Sequence, residues 1–247
     1  MMLSLTFWWR VVRLALKMLG GLLVSVTTFP RGEQRQRHAI IREWSRAVLH
    51  QAGVEVRAVG FPLDADKPVT LVANHISWSD IFALNTQHAC HFIAKSELKS
   101  WPIVGRMLTN VGTIFINRND RKDTHRLKQV VHDLLLAGET VAVFPEGTTS
   151  NGRDVLKFHA SLLEPVVAAE GEVWVVAIRY FRSSDGARTE APAYIDDLSL
   201  LDSLHAIHRE APVIAELRFL EAINCAGLNR REVAQRAEAL IRAALQS

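Results

Sequence analysis

From about residue 54 onward, short apolar runs alternate with segments in which apolar residues recur every three or four positions. Such alternation predicts a single α/β domain, over residues 51–247, in which helices cover a largely parallel or mixed sheet. Short apolar runs with polar boundaries are typical of buried strands. These runs lie at residues 69–73, 91–94, 113–117, 140–144, 173–178 and 213–220.

Two segments of this domain carry clear helical signals. Residues 124–137 place apolar side chains at helical spacing and are followed by Gly138, which predicts an amphipathic helix and its C-terminal stop. Asn229 and Glu232 form a capping-box pattern, which predicts a last helix that ends near Leu245. Both helices therefore offer an apolar face that can cover the sheet.

The N-terminal segment has a different pattern, because residues 2–29 are mostly apolar but contain three cations. On a helix, Arg10, Arg13 and Lys17 lie within about 60° of one another and form a cationic stripe. Such a stripe on an apolar helix, with tryptophans at one end, is typical of a helix in the membrane interface. A secretory signal peptide fits poorly, since the cations lie inside the apolar stretch and no small-residue cleavage site follows. A membrane-spanning anchor and a buried core helix are the alternatives, and the cations disfavour the second.

The formal charge of +3 is unevenly distributed. Residues 1–50 contain eight Lys and Arg against two Glu, so this segment carries +6 and the other 197 residues carry −3. The basic character thus belongs to the N-terminus, and we expect no nucleic-acid partner. Each cation of residues 31–46 adds about 1 kcal/mol of attraction to anionic lipid near a membrane. We therefore predict that residues 1–50 are a basic amphipathic helical segment, with residues 1–46 on an anionic membrane surface.

The two cysteines, Cys90 and Cys225, are too few for a disulfide framework. Buried thiols in a reducing compartment are the simplest interpretation. His88 and His91 flank Cys90, but further cysteine or histidine at ligand spacing is missing from the sequence. We therefore expect no metal site.

Residues 74–80, with the sequence NHISWSD, place a histidine and a carboxylate five positions apart where a strand turns into a helix. In a continuous helix these positions are about 140° apart, so His75 and Asp80 meet only if His75 precedes the helix. Ser77 and Asp80 match the Ser-x-x-Asp capping pattern, which places Asp80 in the first turn. There the helix dipole favours an ionised Asp80, which can fix the tautomer of His75. The other ring nitrogen of His75 is then free as a general base.

Spacing alone does not identify a site, because four other histidines also precede a glutamate by five positions: His38, His50, His159 and His205. A histidine that merely bridges the turn is therefore the competing interpretation of His75. Two further polar clusters follow predicted strands, at residues 117–121 and 145–150. Because ligands bind beyond the carboxyl ends of strands in open α/β sheets, we predict that the three clusters converge on one rim.

The second and third clusters offer groups for a polar ligand. Arg118 follows a strand and can bind a phosphate bidentately, although an ordinary surface charge is the alternative. Residues 144–150, with the sequence FPEGTTS, present a carboxylate, hydroxyls and backbone N–H groups. An ordinary exit from a strand is the alternative there. The sequence has no Gly-x-Ser-x-Gly elbow, so the predicted nucleophile is a substrate hydroxyl that attacks an activated acyl group.

These ordered motifs resemble those of the lysophospholipid acyltransferase family, over roughly residues 50–220. Residues 74–80, 113–118 and 144–150 are similar to its first three motifs, and residues 175–179 approximate the fourth. The fourth motif lacks the proline that the family usually has near Val176. A lysine that often follows Phe158 is replaced by a histidine. Both departures concern acceptor and acyl-chain selectivity more than the chemistry.

The resemblance implies that His75 is the general base and Asp80 its orienting partner. It also implies the residues that hold the acceptor, which are Arg118, Glu146, Gly147 and Thr148. The acyl donor would be acyl-CoA or acyl carrier protein, a co-substrate and not a bound cofactor.

The expected acceptor is 1-acylglycerol-3-phosphate, which would give phosphatidic acid, and a lyso-ornithine lipid is the alternative. A hydrolase is disfavoured because no nucleophile elbow is present. A non-catalytic peripheral membrane protein would explain the basic N-terminus but not the motifs. The expected location is the cytoplasmic face of a bacterial inner membrane, with peripheral or monotopic attachment and a single-pass anchor as the alternative.

Overall fold

The strands form one sheet in the computed structural model, which describes residues 4–60, 69–100, 104–116, 121–168 and 171–247. Over these residues the sheet has seven strands in the order β1-β7-β6-β2-β5-β3-β4. The strands are β1 (Val54–Val59), β2 (Thr70–Ala73), β3 (Cys90–Lys95), β4 (Ile114–Ile116), β5 (Thr140–Val143), β6 (Glu172–Arg182) and β7 (Val213–Asn224).

The sheet is mixed, as the sequence predicts. Strands β6, β2, β5, β3 and β4 run parallel to one another, whereas β7 is antiparallel to β6 and parallel to β1. The carboxyl ends of β2 and β5 therefore lie side by side at one rim, where the first and third polar clusters follow them. The pairing of β2 with β5 thus brings the first and third clusters next to each other.

Helices cover both faces of the sheet. They are α1 (Leu5–Thr27), α2 (Gln34–Ala52), α3 (Ser79–Gln87), α4 (Val104–Asn110), α5 (Arg121–Leu136), α6 (Glu164–Val167), α7 (Leu200–Glu210) and α8 (Arg230–Gln246). Side chains of β2 alternate between two cores, with Leu71 in the core under α2, α3 and α7, and Val72 in the core under α5 and α8. Burial on both faces explains why the central strands read as continuous apolar runs.

Each predicted strand has an observed counterpart, but the boundaries differ. Strands β6 and β7 are longer than predicted, because they pair from Glu172 with Asn224 to Arg182 with Val213. The added residues at the ends of these strands include polar and charged side chains, so no continuous apolar run indicates them in the sequence. The capping box at Asn229 and Glu232 is present and begins α8, which confirms the predicted last helix.

The N-terminal helix α1 has one buried and one exposed apolar face. Phe7 and Leu14 lie in the same core as residues of the sheet. The other face of α1 is exposed and carries eight large apolar residues: Leu5, Trp8, Trp9, Val12, Leu16, Leu19, Leu23 and Val26. The alternative of a helix buried in the core is therefore wrong. Because α1 also packs into the core of the domain, the division at residue 50 stays a prediction.

The helices α1 and α2 pack against each other. The Trp44 Nε1 donates a hydrogen bond to the Lys17 carbonyl oxygen over 3.1 Å, and the two helices enclose an apolar groove of about 760 Å³. Arg13 and Lys17 of the predicted cationic stripe lie along this groove. Over the residues that the structure describes, no helix has the length and apolar character that crossing a membrane requires.

Candidate active site

The structure brings His75 and Asp80 together. His75 lies in the loop between β2 and α3, before the helix begins, and its Nδ1 is 2.8 Å from the Asp80 Oδ2. The side chain of Asp80 is fully buried, whereas that of His75 keeps 18% of its surface exposed. The ring Nε2 of His75 makes no hydrogen bond to any residue that the structure describes. An arrangement of this kind leaves one imidazole nitrogen free to exchange a proton with a ligand.

Asp80 accepts hydrogen bonds at both carboxylate oxygens. Its Oδ2 accepts from the backbone N–H of Ile76 over 2.6 Å and of Ser77 over 2.8 Å, in addition to His75. Its Oδ1 accepts from the Tyr180 hydroxyl over 2.6 Å. A buried carboxylate requires such partners, since an unpaired charge away from water is costly. The same contacts fix which oxygen faces His75.

The start of α3 differs in detail from the predicted capping pattern. Asp80 does lie in the first turn, but the helix begins at Ser79 with Trp78 as its N-cap. The Ser77 hydroxyl accepts from the Ser79 N–H over 3.2 Å and not from the Asp80 N–H. The observed N-cap thus lies one residue after the predicted one, but Asp80 still makes the reciprocal contact of the capping pattern, since its carboxylate accepts from the Ser77 N–H. The carboxylate of Asp80 turns back onto the loop and binds the N–H groups that precede the helix.

The loop that follows β5 holds His75 in place. The His75 ring stacks on the Phe144 ring, with centroids 4.1 Å apart and an interplanar angle of 12°. The backbone N–H of Ser150 donates to the His75 carbonyl oxygen over 2.8 Å. The sequence gives no direct signal for either contact, because both depend on the adjacency of β2 and β5 in the sheet.

Glu146 is buried and connects two loops. Its Oε1 accepts from the His75 N–H over 2.7 Å, and its Oε2 accepts from the Leu156 N–H over 2.8 Å. Burial raises the pKa of Glu146 to about 7, although these two hydrogen bonds act in the opposite direction. Both oxygens are thus engaged with backbone groups. The role of Glu146 in holding an acceptor stays a prediction, and its observed contacts position the loop that carries His75.

Gly147, Thr148 and His75 line one cavity of about 370 Å³, together with Phe144. Gly147 has a φ of 71°, a left-handed conformation that favours glycine and forms the turn after β5. Arg118 lies outside the described residues, so the predicted second cluster cannot be placed at this rim. Of the described candidates, His75, Gly147 and Thr148 line the cavity, whereas Asp80 and Glu146 are buried and do not line it.

Most of the cavity wall is apolar and comes from several elements. Ile41 and Trp44 of α2 contribute to it, and so do Phe82 of α3 and Phe92 of β3. Ile41 and Trp44 also line the groove between α1 and α2. These two residues lie in the basic stretch of the sequence, where the charges obscure their apolar role. The site therefore combines a polar histidine rim with an apolar interior that borders the N-terminal helices.

The first and fourth motifs meet across the sheet. The Asn74 side chain continues the pairing of β2 with β6, since it accepts from the Ile178 N–H over 2.7 Å and donates to the Ile178 carbonyl oxygen over 3.0 Å. Arg179 points away from His75 and forms a buried ion pair with Glu216. The next residue, Tyr180, faces Asp80, because successive side chains of a strand point to opposite faces. Tyr180 has no functional signal in the sequence.

Comparisons with known proteins find acyltransferases similar to this chain. A family model described as Acyltransferase matches residues 55–180. The 1-acyl-sn-glycerol-3-phosphate acyltransferase of Neisseria meningitidis serogroup B is 40% identical over 159 residues, which is 62% of this chain and 62% of that protein, less than two thirds of its length. The lyso-ornithine lipid O-acyltransferase of Pseudomonas aeruginosa is 34% identical over 210 residues, 85% of this chain and 79% of that protein.

Among solved structures, the 1-acyl-sn-glycerophosphate acyltransferase of Thermotoga maritima is similar to this chain. It has a TM-score of 0.64 and 21% sequence identity, and the alignment covers 96% of each chain. At this identity the similarity establishes the fold alone. The fold therefore includes the N-terminal helices as well as the α/β domain.

Proposed function

The chain belongs to the acyltransferase family, and on that premise we propose that it transfers a fatty acyl group from an acyl thioester to the free hydroxyl of a lysolipid. One observation carries the proposal: the His75 ring contacts a buried carboxylate through Nδ1 and lines a cavity whose interior is apolar. The polar rim suits a headgroup, and the apolar interior suits an acyl chain.

In the proposed mechanism, His75 acts through Nε2. With Nδ1–H donated to Asp80, Nε2 removes the proton from the acceptor hydroxyl as its oxygen attacks the thioester carbonyl carbon. A C–O bond forms, the C–S bond breaks, and the proton on His75 passes to the leaving thiolate. Because a thiol has a pKa of about 8.5, the thiolate needs little acid assistance. The donor is acyl-CoA or acyl carrier protein, and no cofactor takes part in this scheme.

The neighbouring residues position these groups in the proposed mechanism. Phe144 and Asp80 fix the His75 ring from two directions, and Glu146 fixes its backbone. Gly147 and Thr148 line the cavity beside His75, which supports a role in holding the acceptor. We assign the acceptor phosphate to Arg118 on the sequence motif alone.

The N-terminal segment would bring this site to its lipid substrates. The exposed apolar face of α1 and the basic residues of positions 1–46 fit the surface of an anionic membrane. Because α2 supplies part of the cavity wall, a membrane-bound helix pair would place the cavity next to the lipid. We propose peripheral attachment at the cytoplasmic face of a bacterial inner membrane.

We propose 1-acylglycerol-3-phosphate as the acceptor, with phosphatidic acid as the product. The Neisseria relative, 40% identical, supports this acceptor. A lyso-ornithine lipid is the second candidate, and it is favoured by the longer match to the Pseudomonas relative, over 85% of this chain. The two acceptors differ in that only the first carries a phosphate.

A panel of lysolipids with labelled acyl-CoA, with the products identified by mass spectrometry, separates these candidates. We expect the highest kcat/KM with 1-acylglycerol-3-phosphate. We expect Arg118→Ala to lower that value by about tenfold or more, since an arginine–phosphate pair contributes strongly to binding. The lyso-ornithine lipid serves as the matched control on the same variant, because it has no phosphate for Arg118 to bind. Acylation of the lyso-ornithine lipid alone would contradict the proposed acceptor.

A further inference from the structure

A tyrosine beyond the motifs contacts the carboxylate that orients His75. Tyr180 lies on β6, 100 residues from Asp80 in sequence, and only 3% of its surface is exposed. Its hydroxyl donates to the Asp80 Oδ1 over 2.6 Å and lies 2.7 Å from the Ser79 Oγ. The Ser79 hydroxyl in turn donates to the Ser77 Oγ over 2.9 Å. A row of three buried hydroxyls therefore ends at the carboxylate.

The two oxygens of Asp80 have unequal support. Oδ2 accepts from His75 and from two backbone N–H groups. Oδ1 accepts from Tyr180 and from no other residue in the part of the chain that the structure describes. Because Asp80 is fully buried, loss of this hydroxyl would leave Oδ1 without a donor and without water. The carboxylate then loses the side chain that supports its orientation at Oδ1.

We propose that Tyr180 is a positioning residue for acyl transfer: its hydroxyl holds Oδ1 so that Oδ2 faces the Nδ1–H of His75, and it disperses the carboxylate charge. The inference rests on the proposed function of the His75 site. Burial and the charge of Asp80 raise the pKa of the Tyr180 phenol well above its ordinary value. The phenol therefore stays protonated and remains a donor.

The geometry separates this role from ordinary packing. The Tyr180 ring belongs to the core under α2 and α3, whereas its hydroxyl alone reaches Asp80. Tyr180→Phe keeps the ring and removes only the donor. Over the described part of the chain, the other ionisable side chains that hydrogen-bond to the His75 loop or to Asp80 are His75 itself and Glu146, and neither bonds to the Tyr180 hydroxyl. A change in the variant therefore reports on the Tyr180–Asp80 contact.

Steady-state kinetics of Tyr180→Phe provide the first test. We expect kcat to fall about tenfold with KM values for acyl-CoA and lysolipid within about twofold of the wild type. We also expect the acidic limb of the pH–rate profile to move to higher pH. Without the Tyr180 hydrogen bond, the negative charge of Asp80 is less dispersed and stabilises a proton on His75 more strongly. Thr86→Val is the matched control, since it removes a buried hydroxyl of α3 that bonds to the Ala83 carbonyl oxygen and not to Asp80.

Nuclear magnetic resonance of the imidazole N–H groups provides a test that does not depend on turnover. The resonance of the His75 Nδ1–H is identified by its loss in His75→Ala. We expect it to shift in Tyr180→Phe and to stay in place in Thr86→Val. If Tyr180→Phe does not fold, Ser79→Ala removes the hydroxyl on the other side of the phenol, and we expect a smaller shift in the same direction.

The outcomes distinguish the two claims. A shifted resonance with a lower kcat and an unchanged KM supports the positioning role. If the resonance shifts in Tyr180→Phe but the wild-type protein transfers no acyl group, the contact is supported and the proposed function is overturned. An unchanged resonance together with wild-type kcat and pH–rate profile in Tyr180→Phe overturns the positioning role.

Discussion

Among the residues that the structure describes, two groups join histidine to a buried carboxylate, but they differ in the other contacts of the histidines and of the carboxylates. At the rim of β2 and β5, one histidine contacts one carboxylate, His75 to Asp80 over 2.8 Å. Next to β3 and β5, a single oxygen of Glu139 contacts two histidines, His38 over 2.7 Å and His91 over 3.2 Å. The second group ties α2 to the sheet.

The two groups differ in the contacts of the second ring nitrogen of each histidine and in the other donors to each carboxylate. Both nitrogens of His91 are engaged, because Nε2 contacts Glu139 and Nδ1 lies 2.8 Å from the Gly112 carbonyl oxygen. The Nε2 of His75 has no partner among the described residues, and its ring lines a cavity. A short contact between histidine and carboxylate thus does not define a catalytic site. A free nitrogen at a cavity does not define one either, because His38 contacts Glu139 through Nε2 and lines a cavity of about 280 Å³. Among the described residues, Asp80 differs in that two backbone N–H groups and the Tyr180 hydroxyl hold it independently of its histidine, which suits it to orient a general base.

Removal of the two carboxylates provides the strongest contrast. We expect Asp80→Asn to lower kcat for acyl transfer by about a hundredfold or more, because the amide does not fix the His75 tautomer that leaves Nε2 as a base. We expect Glu139→Gln to keep kcat within about twofold and to lower the free energy of unfolding by about 1–3 kcal/mol. Kinetics and thermal unfolding on both variants measure the contrast. Equal losses of kcat would remove the distinction between the two groups.

A smaller effect concerns the pH dependence of stability. Burial lowers the pKa of His91, but its hydrogen bonds with Glu139 and Gly112 outweigh burial and raise it above 6.5. Burial also opposes the charge on Glu139, yet the hydrogen bonds from His38 and His91 lower its pKa well below 4.5. The stabilisation from His91 is complete below pH 6.5 and is lost as pH rises through its folded pKa. That from Glu139 is complete above pH 4.5 and is lost as pH falls through its folded pKa.

We therefore expect the gap in Tm between the wild type and Glu139→Gln to be largest at about pH 5–6 and to shrink above pH 7. Thermal unfolding over a pH series measures it. Asp80→Asn is the comparison, since it does not touch this ion-paired group. A gap that grows with pH would contradict the assigned charges.

The sequence predicts the core of the fold because strands that are buried on both faces have continuous apolar sequences. Strands such as β2 and β5 are recognisable for this reason. The strand β1 is missed, since it lies at an edge of the sheet and its residues Glu55, Arg57 and Ala58 are exposed. The extensions of β6 and β7 are also missed, because their pairing and not their composition defines them.

The candidate site shows the same division. His75 and Asp80 are five residues apart, so a capping pattern brings them within reach of sequence reasoning. Their supports come from distant segments: Phe144 stacks on His75 from the loop after β5, and Tyr180 reaches Asp80 from β6. Contacts of this kind depend on strand order, which no local pattern specifies. The apolar wall from Trp44 is likewise hidden within a basic stretch.

The most direct test of the central claim is acceptor-dependent release of thiol from acyl-CoA, measured for the wild type and for His75→Ala. We expect the wild type to release thiol only when a lysolipid is present, and His75→Ala to lose about a thousandfold in rate with its fold intact. His50→Ala is the matched control, because His50 is exposed and also precedes a glutamate by five positions. If His75→Ala keeps most of the wild-type rate, or if thiol is released without an acceptor, acyl transfer with His75 as the base is contradicted.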